Sequence, residues 1–306
     1  MNAHLRRGLC PGLSQPMATG DGLLVRLTPT GATMSCEAFA ALCTAARNCG
    51  NGVIEITSRG SIQIRGLTEA SVKSFAAAVA GIDLAFGEGP PVLSDPLAGL
   101  APEESVDASA IAADLRRAIA AASFAADIGP KVSVTIDGGG TLHLDAVAAD
   151  VRMRAQATDA RLHVAVGGDA ETASPIGVVA AEHPVEAAMR MLRVIAAGGP
   201  TARARDIVAT NGAAAFRREI ADILVDLPGP LRRPAADPLG THTLREGRLA
   251  IGLGLPFGHA HSAALEELAR AAAESPGGAK ARTAQSASAQ LTRNRSRHSG
   301  LPGVFR

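Results

Sequence analysis

Trp and Tyr are absent from this 306-residue chain and Phe occurs only seven times. The interior must therefore be assembled from Ala, Val, Leu and Ile, within an apolar content of 47% that excludes a disordered protein. The same absence removes the aromatic platforms on which single-stranded nucleic-acid binders stack bases. An excess of either charge is missing too. Lys and Arg total 30 against 29 Asp and Glu, which gives no bulk attraction to nucleic acid or an anionic membrane and leaves only local cationic pockets. No apolar run approaches the roughly 20 residues of a membrane span. Residues 1–17 carry Arg6 and Arg7 without an apolar segment behind them, and Pro11, Gly12 and Pro16 interrupt any helix. A secretory signal is not expected, and the chain is expected to be cytoplasmic. Cysteine is confined to Cys10, Cys36, Cys43 and Cys49, with no CxxC pair. In a reducing compartment these are free thiols, and the last three read as small buried hydrophobes of one helix rather than metal ligands.

Along the chain, residues 22–30 read as a strand interrupted by Arg26 and Thr28. Ser35 is an N-cap for a helix from Cys36 to Asn48, stopped by Cys49-Gly-Asn-Gly. Val53–Thr57 and Ser61–Arg65 alternate as strands around the turn Ser58-Arg-Gly, Thr68 caps a helix to about Ala80, and a short strand follows near Leu84–Phe86. This β-α-β-β-α order with a final strand is a ferredoxin-like split βαβ arrangement. A Gly/Pro-rich connector leads to an Ala-rich helix from Ser105 or Asp107 to about Phe124. Lys131–Ile136 reads as a strand, Asp137-Gly-Gly-Gly as a hairpin turn and Thr141–Leu144 as the returning strand. Strands are expected at Asp150–Ala155 and Arg161–Val166, closed by Gly167-Gly-Asp, with helices at 184–197 and about 213–224. The stretch Gly247–Gly258 and the helix at 261–273 repeat the pattern of residues 22–48, as the start of a second ferredoxin-like copy. The fold class is therefore α+β. Its expected blocks are an N-terminal extension (1–18), a ferredoxin-like half domain (19–87), a linker (88–105), a larger α/β domain (106–235) and a partial second ferredoxin-like unit (240–275). After Ser275-Pro-Gly-Gly the Arg-, Ser-, Gln- and Thr-rich sequence predicts a disordered tail over 276–306.

Several stretches carry a family resemblance. Arg7-Gly-Leu-Cys-Pro-Gly with Thr19-Gly-Asp-Gly-Leu-Leu-Val-Arg, Asn51-Gly-Val-Ile-Glu-Ile-Thr-Ser-Arg-Gly-Ser-Ile-Gln-Ile-Arg-Gly, and Val92-Leu-Ser-Asp-Pro-Leu-Ala-Gly-Leu resemble the precorrin-3B synthases. Thr57-Ser-Arg-Gly-Ser-Ile-Gln and Lys131-Val-Ser-Val-Thr-Ile are similar to the wider nitrite/sulfite reductase pattern. The resemblance covers about residues 5–275. It implies ferredoxin-like half domains and nitrite/sulfite reductase-like α/β domains around a tetrapyrrole. The implied activity is oxidation of precorrin-3A by dioxygen, with hydroxylation and lactone formation, in cobalamin biosynthesis. It further implies a 4Fe-4S cluster on four C-terminal cysteines and a non-haem iron. No Cys follows Cys49, so the cluster ligands are absent, and a C-terminally truncated product, without its electron-transfer centre, is expected. The electron donor is not implied.

A precorrin presents a rim of carboxylates, which fixed Arg and Lys side chains recognise through charge-assisted, ideally bidentate bonds. The expected substrate-binding residues are Arg26 in mid-strand, Arg59 in the tight turn, Arg65 at the end of the next strand and Lys131 opening a strand in the following domain. Gly60 and Gly66 are expected to serve backbone geometry or close ligand approach. Catalytic residues are not legible. His259-Ala-His261, at a loop-to-helix junction without accompanying Cys or carboxylate, is not expected to bind metal, and neither Asp137-Gly-Gly-Gly nor Gly252–Gly258 is a nucleotide loop. Two further readings stand beside the enzyme: a fragment of a siroheme-type nitrite or sulfite reductase, and a non-catalytic tetrapyrrole-binding remnant.

Overall fold

The structure, a computed structural model, describes residues 11–281 except 32, 88, 157–158, 226–228 and 275–279. A tight turn joins β1 (Met17–Thr19) to β2 (Gly22–Leu27). After β3 (Met34–Ser35), Ser35 caps α1 (Cys36–Cys49), its hydroxyl accepting from the Ala38 amide at 3.0 Å. β4 (Val53–Ile56) and β5 (Ile62–Leu67) pair antiparallel around the expected turn. Thr68 and Ser71 then close a reciprocal capping box on α2 (Glu69–Ala80). Val25, Leu27, Ile54, Ile62 and Ile64 form one sheet face, buried with Leu42 of α1 and Phe75 of α2. Gly60 and Gly66 both take positive φ, and a Cβ on Gly66 would fall 2.5 Å from the Asn51 side chain. The expected strand at Leu84–Phe86 is reduced to a single bridge between Phe86 and Pro29.

The second layer begins with β6 (Val92–Ser94) and α3 (Ala108–Ala121), capped by Asp107. It continues through β7 (Val134–Asp137), β8 (Ala149–Gln156), β9 (Asp159–Gly168), β10 (Ser174–Val179), α4 (Pro184–Ala197), α5 (Ala204–Asn211), α6 (Ala214–Glu219) and β11 (Leu224–Val225). The sheet order is β11-β10-β9-β8-β7-β6, parallel across β6-β7-β8 and antiparallel beyond. Leu115 and Ile119 of α3 and Met191, Leu192 and Ile195 of α4 pack on Val134, Ile136, Val151, Met153, Val164 and Val166.

Several local expectations change here. Asp137-Gly-Gly-Gly is not a hairpin and Thr141–Leu144 is not a strand, because β7 runs parallel to β8 and a parallel pair needs a longer connection. The Asp137 carboxylate instead winds that connection, accepting from the Gly139 amide at 2.9 Å and the Leu144 amide at 3.2 Å. Lys131 lies in an exposed turn, and the strand opens only at Val134. β9 runs through Gly168 into the unexpected β10, and α5 is a further unexpected element. The helix expected to reach residue 224 stops at Glu219, before a 3-10 turn and β11.

The C-terminal elements return to the first sheet. β12 (Gly240–Thr243) and β13 (Leu249–Gly252) form their own ladder. His259-Ala-His261 is a strand, β14 (His259–His261), not a loop junction, and it pairs antiparallel with β4. The first sheet thus reads β1-β2-β5-β4-β14. α7 (Ser262–Ala273) packs along α1, where buried Glu266 accepts from Arg47 Nη1 at 2.6 Å and Arg270 Nη2 at 2.8 Å. β15 (Lys280–Ala281) pairs with β3, so a strand occurs where none was expected. The other residues of the expected tail, 276–279 and 282–306, lie outside the described residues.

Asp150 fastens α5 to the second sheet. Its fully buried carboxylate accepts from the Ser133 amide (3.0 Å), the Ala204 amide (3.0 Å), and Nε and Nη2 of Arg203 (both 2.9 Å). Asp150→Ala leaves a guanidinium and two amides without this acceptor. It is expected to destabilise the fold by about 3–5 kcal/mol, read as a lower denaturation midpoint; a midpoint within error of wild type would contradict this account.

Candidate functional site

Alternation gives the first sheet a second, polar face. The registers place Arg26 of β2 beside Gln63 of β5, Gln63 beside Glu55 of β4, and Glu55 beside His259 of β14. With its amide oxygen turned towards β2, Gln63 accepts from Arg26 Nη2 at 2.7 Å and Nε at 3.2 Å, and its nitrogen donates to Glu55 Oε2 at 3.2 Å. His259 Nε2 lies 3.4 Å from the same carboxylate oxygen. Thr28 and Ser61 extend this face, their hydroxyls 3.2 Å apart.

The four expected cations have different surroundings. Among the described residues, no carboxylate lies within ion-pair distance of Arg26 or Arg59. Arg59, in the Thr57–Gly60 turn, lines a cleft of about 740 Å³ together with Thr28, Ser94 and, on α3, Arg116 and Arg117. Arg116 Nη2 donates to the Val92 carbonyl at 2.6 Å, and burial lowers its pKa. Arg117 pairs with Asp114. Arg65 flanks Gln63 on the polar face but is already matched: Nε and Nη2 meet the Asp21 carboxylate at 3.0 and 3.1 Å, and Nη1 reaches Glu55 at 3.3 Å. The Arg65 hydrogen bonds hold the Asp21 carboxyl well below the usual carboxylate range. Lys131 does not line the cleft. The three arginines therefore belong to one strand group, but only Arg26 and Arg59 keep uncompensated charge. The sequence reasoning missed Arg116 and Arg117, which sit in an Ala-rich helix with no local motif. It also missed Gln63 and Glu55, whose signal was their alternation with isoleucines.

A second polar cluster lies at the C-terminal end of β7. Asp137, His143 and Asp145 bring potential metal-ligating atoms within 4.8 Å of one another. Arg233 Nη2 already sits between the two carboxylates, 2.5 Å from Asp137 and 2.6 Å from Asp145, and Arg152 and Arg154 approach Asp145 at 3.9 and 3.6 Å. His143 Nε2 is taken by the Pro234 carbonyl at 2.8 Å. Three guanidiniums around two carboxylates offset the charge a divalent cation would need, so this donor set does not fit a non-haem iron. The described cysteines fit an iron–sulfur cluster no better. Cys36, Cys43 and Cys49 share one helix, and burial pushes the Cys43 thiol up to about 12 and raises that of Cys36. Cluster ligation requires thiolates converging from four sites.

Comparison with known proteins shows likenesses in sequence and in fold. Residues 15–82 match the nitrite/sulfite reductase ferredoxin-like half domain. The chain is 41% identical over 265 residues, 86% of its length, to a precorrin-3B synthase of Sinorhizobium sp. It spans only 57% of that relative. The NirA protein of Mycobacterium tuberculosis has the same fold, with a TM-score of 0.73 over 86% of this chain and 52% of its own, at 21% identity. The expected α+β class, a ferredoxin-like half domain with a nitrite/sulfite reductase-like α/β layer, is the one observed. No described helix is long and apolar enough to cross a membrane.

Because Asp21 is held below its ordinary value, its pairing with Arg65 stabilises the fold above about pH 4 and fades as the pH falls further. Arg65→Gln is expected to return the Asp21 titration towards about 3.9, measured by carboxyl NMR. An unmoved titration would show that Arg65 is not its cause.

Proposed function

We propose that this chain, a relative of precorrin-3B synthase with a nitrite/sulfite reductase ferredoxin-like half domain, binds a carboxylate-rimmed precorrin at the polar face of its first sheet. Arg26 and Arg59 carry the recognition. The observation that supports this most is that, among the described residues, neither guanidinium has a carboxylate within ion-pair distance, while neighbouring Arg65 is matched twice over. Gln63 orients Arg26 by accepting from two of its nitrogens, which leaves Nη1 for a ligand carboxylate. The turn and Gly60 direct Arg59 into the cleft, where Arg116 adds a desolvated positive charge. Arg65 acts here by fixing the strand ends, and Lys131 contributes at most to the wider potential.

The reaction proposed for the complete enzyme is oxidation of precorrin-3A by dioxygen, with hydroxylation and lactone formation. A cluster would supply electrons to it; no step through such a group is assigned to these residues, because the described thiols and the Asp137–His143–Asp145 set do not fit one. The part we assign to this chain is holding and orienting the macrocycle by its carboxylates.

Titration of uroporphyrin, an octacarboxylate macrocycle, into wild type, Arg26→Ala and Arg59→Ala tests the reading. One charged hydrogen bond contributes roughly 1.5–3 kcal/mol, so each variant is expected to bind about tenfold to a hundredfold more weakly. Equal affinities in low salt, with folding confirmed, would remove both arginines from the site.

A further inference from the structure

The polar row of the first sheet ends in a histidine. Arg26, Gln63, Glu55 and His259 lie side by side on β2, β5, β4 and β14, three strand spacings or about 14 Å from end to end. Arg26 stands at one end. His259 stands at the other, on the outermost strand, with its side chain 48% exposed. The carboxylate between them is directed into the sheet's own donors. Glu55 Oε2 faces the Gln63 nitrogen at 3.2 Å, Arg65 Nη1 at 3.3 Å and His259 Nε2 at 3.4 Å.

The two ring nitrogens of His259 therefore have different tasks. Nε2 is turned to an ionised carboxylate, which only accepts, so this nitrogen carries a proton. Nδ1 has no hydrogen-bond partner among the described residues. In the neutral ring Nδ1 is a bare acceptor, which repels an incoming carboxylate. In the imidazolium it carries a proton and donates to one. The charged and titratable groups around this ring are Glu55 on β4, Arg65 behind it on β5 and Asp21 paired with Arg65. His261 follows two places along β14. From α7, Glu266 is turned to Arg47 and Arg270, and Glu267 is exposed.

We propose, on the reading that this face holds a carboxylate-rimmed macrocycle, that His259 is a third recognition residue, whose imidazolium donates Nδ1–H to a ligand carboxylate, so that binding takes up a proton. Arg26 and His259 hold the ligand at the two ends of the row. Arg59, in the turn beyond β4, lies off that line, and three points fix a flat ring against rotation. Because only the charged ring serves, ligand and proton strengthen each other's binding. Affinity accordingly rises as the pH falls from 8 to 6, the interval in which histidine changes charge, while ligand carboxylates stay ionised throughout.

Uroporphyrin is titrated at pH 8 and pH 6 into wild type, His259→Gln, His259→Arg and Arg26→Ala, each with folding confirmed. Wild type is expected to bind roughly tenfold more tightly at pH 6. Calorimetry at pH 7.5 in two buffers of different ionisation heat is expected to show proton uptake. Gln keeps a donor for Glu55 without the charge, so His259→Gln should hold the weaker affinity at both pH values and take up fewer protons. Arg supplies a permanent cation, so His259→Arg should bind tightly at both, a rescue that a merely structural role would not give. If His259→Gln keeps the wild-type pH dependence and proton uptake while Arg26→Ala binds more weakly at both pH values, this proposal falls and the carboxylate-binding face stands. If Arg26→Ala binds as wild type does, the face itself fails and the role of His259 with it.

Discussion

The pairing of β14 with the outer edge of β4 is the contact on which the architecture turns. It joins residues about two hundred positions apart, across the whole second layer, so its hydrogen bonds and the burial between α1 and α7 must offset the entropy of closing that loop. Glu266, seated between Arg47 and Arg270, adds a matched charge to the same seam. The contact also reaches the site. It stands His259 beside Glu55, and Glu55 engages Gln63, which in turn holds Arg26. A distant segment thus borders the polar row that orients the Arg26 guanidinium.

Charge compensation separates the cations more sharply than their position does. Arg65, Arg203 and Arg233 each face carboxylates at hydrogen-bond distance and serve to tie elements together. Arg26 and Arg59 have strand and turn positions of equal quality but no such partner among the described residues. Preorganised and unneutralised cations are the arrangement that a polycarboxylate ligand rewards, because their desolvation is met only when the ligand arrives.

Legibility in the sequence followed the range of the interactions. The Ser35 cap, the Thr68 start and the alternation of Ile62-Gln-Ile-Arg were readable because each is decided within a few residues. Asp137-Gly-Gly-Gly misled because glycines signal a turn but not the direction of the next strand, which β7 takes from its parallel neighbours. The internal repeat was visible as a pattern, but not that its second copy would exchange strands with the first. Among the site residues, the location of Arg26 and Arg59 followed from local pattern. The neutralisation of Arg65 did not, since Asp21 and Glu55 reach it only through strand pairing. Arg116 and Arg117 carried no signal beyond being charges on an alanine-rich helix.

The central claim is that uncompensated Arg26 and Arg59, and not matched Arg65, receive the carboxylates of a tetrapyrrole. Guanidinium Nε–Hε NMR of the folded chain, followed while uroporphyrin is added, reports on each arginine separately. The account predicts that the Arg26 and Arg59 resonances shift with saturation while those of Arg65 hold still. Saturable binding that moves Arg65 and leaves Arg26 and Arg59 unchanged would contradict it.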